Sequence, residues 1–141
     1  MILYCDTSAL VKLYINEAHT REVKALVEEA EAVAVCRIAW AEYYAATARR
    51  TREVPEDQEG MERARQSLAT DWGHYVVVDV SQAVVARAGE YADAFALRGY
   101  DAVQLAAAAE TLAATGQELT FACFDRRLNK SARLLGMGAP F

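Results

Sequence analysis

The chain has 141 residues, of which 54% are hydrophobic and 25% are charged. This length predicts a single domain over residues 1–141, and this composition excludes a disordered chain. No apolar run is long enough to cross a bilayer and no signal peptide is evident, so we expect a cytoplasmic protein with no membrane partner. The net charge of −5 argues against a general nucleic-acid-binding protein. The charge is uneven, however, because after Asp125 the chain carries basic residues and no acid.

Strand-like and helix-like segments alternate along the whole chain. Short apolar runs predict strands over residues 2–5, 32–36, 75–80 and 119–124. Apolar residues at helical spacing predict seven helices, which begin near residues 8, 20, 38, 56, 82, 100 and 126. The tail, residues 137–141, is either a short final strand or irregular. This alternation predicts an α/β fold with a central, mostly parallel sheet of four to five strands flanked by helices on both faces.

Three aspartates stand where predicted elements meet. Asp6 and Asp125 each follow an apolar strand and precede a helix, and Asp101 opens a helix after a Gly-Tyr corner. Ligands of open α/β sheets bind outside the carboxyl ends of the strands, so these positions suit a functional site. The alternative for each residue is helix capping, since Asp is among the best N-cap residues.

Glu42 lies on an apolar face of a predicted helix. Its neighbours three and four positions away are all apolar, namely Ile38, Ala39, Ala45 and Ala46. An unpaired buried charge is costly, so we expect this carboxyl to be protonated, paired or bound to a metal ion. The alternative to a functional role is a salt bridge to an arginine such as Arg37 or Arg98.

If Asp6, Glu42, Asp101 and Asp125 meet, their charges raise one another's pKa and favour a bound cation. All-oxygen ligation fits Mg²⁺ or Mn²⁺ rather than zinc. Such a metal ion can lower the pKa of a bound water and polarise a phosphoryl oxygen. The sequence has no evident Ser-His-Asp arrangement, Walker loop or dinucleotide-binding fingerprint, which makes those chemistries poor explanations.

Four short segments carry a family pattern in a fixed order. They are Tyr4-Cys5-Asp6-Thr7-Ser8-Ala9-Leu10, Trp40-Ala41-Glu42-Tyr43, Tyr100-Asp101-Ala102-Val103-Gln104-Leu105-Ala106 and Phe124-Asp125-Arg126-Arg127-Leu128. Each segment alone is a weak signal, but the four together span nearly the whole chain and are specific. In this pattern the sequence resembles the PIN domain, and within it the VapC-type toxins of bacterial and archaeal toxin–antitoxin pairs.

The resemblance implies an Mg²⁺- or Mn²⁺-dependent endoribonuclease, in which a metal-activated water attacks an RNA phosphodiester in line. Asp6 and Asp101 then look like the main metal ligands, and Glu42 and Asp125 would ligate directly or through water. Ser8 looks like the hydroxyl that orients Asp6 or a metal-bound water. The family further implies a homodimer, a small VapB-type antitoxin as inhibitor, and transfer RNA or ribosomal RNA as the target.

Two features next to the fourth acid need separate expectations. Arg126 and Arg127 directly follow Asp125, which makes them candidate contacts to RNA phosphate, although a solvated helix face is the simpler alternative. The family usually has Thr or Ser two residues before this acid, whereas this chain has Cys123. We therefore expect the hydrogen bond from that position to Asp125 to be weak or absent.

Two other functions remain open on the sequence. The same fold without activity would be an RNA-binding or assembly module, although intact acids at all four positions argue against it. A phosphoryl-transfer or signalling domain with Asp6 as nucleophile is the second. Residue 8 is Ser, where a haloacid dehalogenase-like domain normally has a second Asp, and the early acid pair of a receiver domain is missing.

Overall fold

Residues 1–141 are all described in the structure, a computed structural model. Four strands are present: β1 (Ile2–Cys5), β2 (Ala32–Cys36), β3 (Val76–Val78) and β4 (Leu119–Ala122). The seven α-helices are α1 (Thr7–Tyr14), α2 (Thr20–Glu29), α3 (Ala39–Glu53), α4 (Gln58–Asp71), α5 (Gln82–Phe95), α6 (Gly99–Thr115) and α7 (Arg126–Leu134). Short 3-10 helices cover Pro55–Asp57 and Trp72–His74. No helix combines the length and the apolar content that a bilayer crossing requires.

The four strands form one sheet in the order β3-β2-β1-β4, and every neighbouring pair is parallel. The predicted parallel sheet is thus confirmed with four strands. The tail contributes only an isolated bridge between Thr120 and Gly138. From β1 the chain moves outward through β2 to β3, and it returns to place β4 on the opposite side of β1. The gap between β1 and β4 is therefore a topological switch point, where α/β folds bind ligands.

Both faces of the sheet are covered, which explains why the strands are continuously apolar. On one face Tyr4 packs with Phe121 and with Leu105 of α6, and the two rings stack with their centroids 5.6 Å apart. On the other face Leu3 belongs to a second core with Tyr43 of α3. Successive residues of β1 thus enter different cores, and the predicted flanking helices on both faces are confirmed.

Two predicted strands are longer than the strands in the structure. β3 covers Val76–Val78 instead of residues 75–80, because it is an edge strand and its pairing stops where β2 ends at Cys36. β4 stops at Ala122 instead of residue 124, because the next backbone amides leave the sheet ladder. The amide of Phe124 donates to Ser8 Oγ instead, at 3.1 Å.

The helices follow the predicted pattern, with corrections at their ends. Asp6 caps α1, since its carboxylate accepts from the Ser8 amide. Before α4, the chain first makes the 3-10 turn that begins at Pro55, so α4 starts two residues later than predicted. Ser81 caps α5, with Oγ accepting from the Val84 amide at 3.2 Å.

Candidate active site

Two strand ends and two helix starts bring the four predicted acids to one edge of the sheet. Asp6 follows β1 and Asp125 follows β4, so they flank the switch point. Glu42 lies in the first turn of α3 and Asp101 in the first turn of α6. Burial, and after it the charges of Asp6 and Asp125, raise the pKa of Asp101. The charges of Asp6 and Asp125 thus act on Asp101, and those of Asp6 and Asp101 act on Glu42.

Asp6 is the most deeply placed of the four acids, with 8% of its surface exposed. Its Oδ2 accepts from Ser8 Oγ at 2.8 Å and from the Ser8 amide at 3.3 Å. Burial raises the pKa of Asp6, and the hydrogen bonds from Ser8 offset part of that effect. Because the same hydroxyl accepts from Phe124, Ser8 joins the end of β4 to the carboxylate that follows β1.

Glu42 is held by neutral groups and not by an arginine. Its Oε1 accepts from Gln104 Nε2 at 2.7 Å and from Thr7 Oγ1 at 2.9 Å. Arg37, one of the two salt-bridge partners considered above, pairs instead with Asp79, and Arg98 forms no ion pair. The salt-bridge alternative for Glu42 is therefore wrong. Burial is the main reason that the pKa of Glu42 is raised.

The capping alternative is right for two aspartates and wrong for the third. Asp6 caps α1, and Asp125 caps α7 through Oδ1, which accepts from the Leu128 amide at 2.9 Å. The N-cap of α6 is Arg98, and Asp101 makes no cap hydrogen bond. Capping is compatible with a second role for Asp6 and Asp125, because the hydrogen bonds to each carboxylate reach one oxygen and leave the other free.

The donor set fits a hard divalent cation. None of the structure's eight ion pairs involves Asp6, Glu42, Asp101 or Asp125. The nearby charge of Arg98 offsets only part of the rise in the pKa of Asp101. Carboxylate oxygens are the ligands that Mg²⁺ and Mn²⁺ prefer. No three His, Cys, Asp or Glu side chains form a preassembled metal centre, however. Like charges repel at short range, so drawing these acids onto one point requires a cation or protons.

A polar cleft of about 390 Å³ opens beside two of the acids. Its lining consists of Ala96, Leu97, Arg98, Asp101, Asp125, Arg126 and Arg127. Arg127 is tethered within it, since Nη1 donates to the Ala96 carbonyl at 3.1 Å. The exposed side chains of Arg98 and Arg126 have no such tether. The cleft therefore offers positive charge next to the carboxylates, in the arrangement that an anionic phosphate chain requires.

Cys123 meets the backbone and not the carboxylate of Asp125. Its Sγ accepts from the Asp125 amide at 3.3 Å and lies 3.9 Å from Ser8 Oγ. Burial raises the pKa of Cys123, so the group is a neutral thiol. The Asp125 carboxylate thus receives no hydrogen bond from this position, in agreement with the expectation from the sequence.

Two side chains at the site were not assigned a role from the sequence. Gln104 is fully buried and touches Glu42, Thr7 and Tyr4. The available signal was its polarity, since it is the single polar residue in the buried stretch 102–109. Arg98 was considered only as a salt-bridge partner, and nothing in the local sequence indicates that its side chain lines the cleft.

A parallel sheet with acids at its switch point places the protein among the α/β domains whose sites lie at that edge. The family model described as PIN domain matches residues 3–134. Ribonuclease VapC45 and ribonuclease VapC49, from two strains of Mycobacterium tuberculosis (CDC 1551 / Oshkosh and ATCC 25618 / H37Rv), are each 34% identical over 135 residues, which cover 96% of this chain and 92% of theirs. The chain therefore belongs to the PIN-domain family and, within it, to the VapC type.

The fold is also similar to a solved structure of a toxin–antitoxin complex from Klebsiella pneumoniae. The TM-score is 0.60 at 20% identity, and the match covers 89% of this chain and 87% of the other. At this identity the likeness concerns the fold alone.

Proposed function

We propose that this protein is a divalent-metal-dependent endoribonuclease that hydrolyses RNA phosphodiester bonds, and that it is the toxin of a toxin–antitoxin pair. One observation carries the proposal. Asp6, Glu42, Asp101 and Asp125 lie at the switch-point edge of the sheet and form no ion pair, beside a cleft lined by arginines. A purely structural role would favour an ion pair at least for Asp6, because this acid is buried and an unpaired buried charge is costly. Membership of the VapC type supports the same activity.

In this proposal Asp6 and Asp101 hold the metal ion, and Glu42 and Asp125 contribute directly or through water. When bound, Mg²⁺ or Mn²⁺ supplies positive charge at the phosphoryl oxygens and lowers the pKa of the attacking water. The protein's own part is to keep oxygens available for that ion. The hydrogen bonds to Asp6, Glu42 and Asp125 each occupy one oxygen and leave the other. Ser8 orients Asp6 through two of these bonds.

The arginines of the cleft have different roles in the proposal. Arg126 and Arg98 contact RNA phosphates next to the acids, since neither side chain is engaged elsewhere. The guanidinium of Arg127 donates to the Ala96 carbonyl at the end of α5. We therefore assign Arg127 mainly to the wall of the cleft and only secondarily to contact with RNA. A local group of arginines in the cleft would reconcile RNA binding with a net charge of −5.

The test is cleavage of total RNA by purified protein that is free of any antitoxin. Parallel reactions contain Mg²⁺, Mn²⁺ or EDTA, and Asp101→Asn serves as the control for contaminating nuclease. We expect discrete fragments that require the metal ion and disappear in the variant. Fragments that persist in the Asp101→Asn protein, or in EDTA, would contradict the proposed site.

The competing function is a catalytically inactive PIN-fold module that binds RNA or assembles a complex. It predicts RNA binding without cleavage, and no divalent-metal affinity that depends on Asp101. Titration of Mn²⁺ into wild type and into Asp101→Asn separates the two functions, because the inactive module gives the same result for both proteins.

We also propose the partners and setting that follow from VapC-type membership. The protein would form a homodimer, act in the cytoplasm on transfer RNA or ribosomal RNA, and be inhibited by a small VapB-type antitoxin. Residues 1–141 would fold as one nuclease domain. Light scattering of the purified chain tests the dimer, and a single species of monomer mass at micromolar concentration would rule it out.

A further inference from the structure

Behind the proposed metal ligands lies a buried polar chain formed by Tyr4, Gln104, Thr7 and Glu42. The Tyr4 hydroxyl donates to Gln104 Oε1 at 2.7 Å. Gln104 Nε2 donates to Glu42 Oε1 at 2.7 Å and to Thr7 Oγ1 at 3.2 Å. Thr7 Oγ1 donates to the same Glu42 oxygen at 2.9 Å. Tyr4 and Gln104 have no exposed surface, so this series of hydrogen bonds connects the interior of the protein to the candidate site.

We infer that Gln104 is a positioning residue that fixes the carboxylate of Glu42, and that Tyr4 fixes Gln104. The inference rests on the proposed function, because it assigns Gln104 to the support of a metal-binding carboxylate. Gln104 lies three residues after Asp101 on α6. Residues at this spacing share a helix face, so one turn of α6 supplies a proposed ligand and the support of another ligand from α3.

The geometry defines which way the amide of Gln104 points. Turning the amide over would place its oxygen against the Glu42 carboxylate and its nitrogen against the Tyr4 hydroxyl. Two acceptors would then face each other in a buried site, which is strongly unfavourable. The Glu42 carboxylate, which only accepts, therefore selects the orientation in which Gln104 donates to it, and the Tyr4 hydroxyl in β1 donates to the amide oxygen that remains.

Neutral donors suit this position better than a cation. Two of them converge on Glu42 Oε1, and no hydrogen bond reaches Oε2. An arginine or lysine in place of Gln104 would also hold the carboxylate, but its charge would compete with a metal ion for it. The neutral carboxamide of Gln104 fixes the Glu42 side chain and leaves the negative charge of Glu42 available to a metal ion. Groups that orient metal ligands in this way typically contribute about 10–100-fold to metal affinity or activity.

The test compares three variants by calorimetric Mn²⁺ titration, by steady-state cleavage kinetics and by melting in EDTA. Gln104→Met keeps the length of the side chain and removes its donors. Tyr4→Phe keeps the ring stacked on Phe121 and removes one hydroxyl. Thr111→Val is the matched control, because Thr111 is a buried residue of the same helix whose hydroxyl bonds only to the Ala107 carbonyl.

We expect Gln104→Met to weaken Mn²⁺ binding about 10-fold and to lower kcat about 10–100-fold, with an unchanged KM for RNA. Tyr4→Phe should change both quantities in the same direction by about fivefold, as the loss of one neutral hydrogen bond predicts. Thr111→Val should match wild type in both. A role in stability alone would lower the melting temperature and leave metal affinity and kcat of the folded protein unchanged.

The outcomes separate this inference from the proposed function. If wild type binds Mn²⁺ and Gln104→Met binds it within about twofold, the positioning role is wrong and the proposed function stands. If wild type binds no Mn²⁺, the proposed function itself fails and the inference fails with it. Equal losses in Gln104→Met and Thr111→Val would also overturn the inference, because the effect would then belong to the packing of α6.

Discussion

At the scale of single residues, the site is built from carboxyls that the protein does not neutralise. Burial is the main cause of the raised pKa of Asp6, Glu42 and Asp101. Each group is therefore less favourable when ionised in the folded protein than in the unfolded chain. Binding of a divalent cation or a proton removes this free-energy cost of ionisation. Stability and function are thus opposed at this edge of the sheet.

Replacing Asp101 with Asn should separate these two effects. We expect Asp101→Asn to lower the RNA cleavage rate by at least about 100-fold, because a proposed metal ligand is lost. In EDTA the same protein should melt at a higher temperature than wild type, because Asp101 makes no cap bond and removing its charge relieves repulsion. Added Mg²⁺ should raise the melting temperature of wild type by mass action and leave that of the variant almost unchanged. Differential scanning calorimetry with and without Mg²⁺ measures both effects.

The dependence of this stabilisation on pH follows from the direction of the pKa shift. A carboxyl whose folded pKa is raised contributes stability below its unfolded pKa, and that contribution is lost as the pH rises through the folded value. The advantage of Asp101→Asn in EDTA should therefore be largest near neutral pH and should vanish toward about pH 4, the ordinary Asp range. Melting curves of both proteins across this interval test the sign. An advantage that grows as the pH falls would show that the pKa of Asp101 is lowered instead.

At the scale of elements, the corner between β4 and α7 determines where Asp125 stands. Asn129 of α7 is buried, and its Nδ2 donates to the carbonyl of Cys123 at 2.9 Å and to that of Phe141 at 3.0 Å. One side chain thereby joins the end of β4, the helix α7 and the last residue. The ring of Phe141 stacks on Phe124, with the two centroids 4.4 Å apart. These contacts fix the position of the corner that carries Asp125.

Truncation of Asn129 should loosen this corner. We expect Asn129→Ala to lower the free energy of unfolding by about 1–3 kcal/mol, because the buried Cys123 carbonyl loses its donor, whereas Phe141 keeps its hydrogen bond from Arg133. Urea denaturation measures this change, and Lys130→Ala, an exposed neighbour on α7, is the matched control. A loss of similar size in both variants would assign the effect to the helix as a whole and not to the hydrogen bonds of Asn129.

At the scale of the whole molecule, an acidic protein presents a basic cleft. The overall charge of −5 repels RNA at long range, so the proposed RNA binding would depend on a few phosphate contacts close to the candidate site. Arg98 comes from the N-terminus of α6 and Arg126 from that of α7, so the cleft forms only when the two helices are assembled.

The salt dependence of RNA binding should reveal these contacts. In the cleavage-deficient Asp101→Asn background, Arg126→Ala and Arg98→Ala should each weaken RNA binding and reduce the slope of log K against log salt by about 0.7–0.9. Lys130→Ala removes the same charge from α7 outside the cleft and should leave the slope nearly unchanged. Fluorescence anisotropy at several salt concentrations measures this. Equal slopes for Arg126→Ala and Lys130→Ala would favour a solvated helix face for Arg126.

The fold was predictable because its signals are local. Strands buried on both faces must be continuously apolar, and helices that cover them must show apolar residues at helical spacing. This physics predicted all four strands, all seven helices and the parallel sheet. The predicted ends of the strands and helices were less accurate. β4, for example, ends at Ala122 because the following Phe124 amide bonds to Ser8 Oγ, which is far away in the sequence.

The sequence by itself determined the fold class and the family and predicted the four acids, because periodicity and short motifs are properties of neighbouring residues. Only the tertiary structure decided how those acids are held. It set Gln104 and Thr7 against Glu42 in place of an arginine, tethered Arg127 and left Arg98 and Arg126 on the cleft. These contacts join residues distant in the chain, and Glu42 and Gln104 alone are 62 positions apart. Such pairings depend on which strand ends and helix starts converge at the switch point, and no local pattern encodes that convergence.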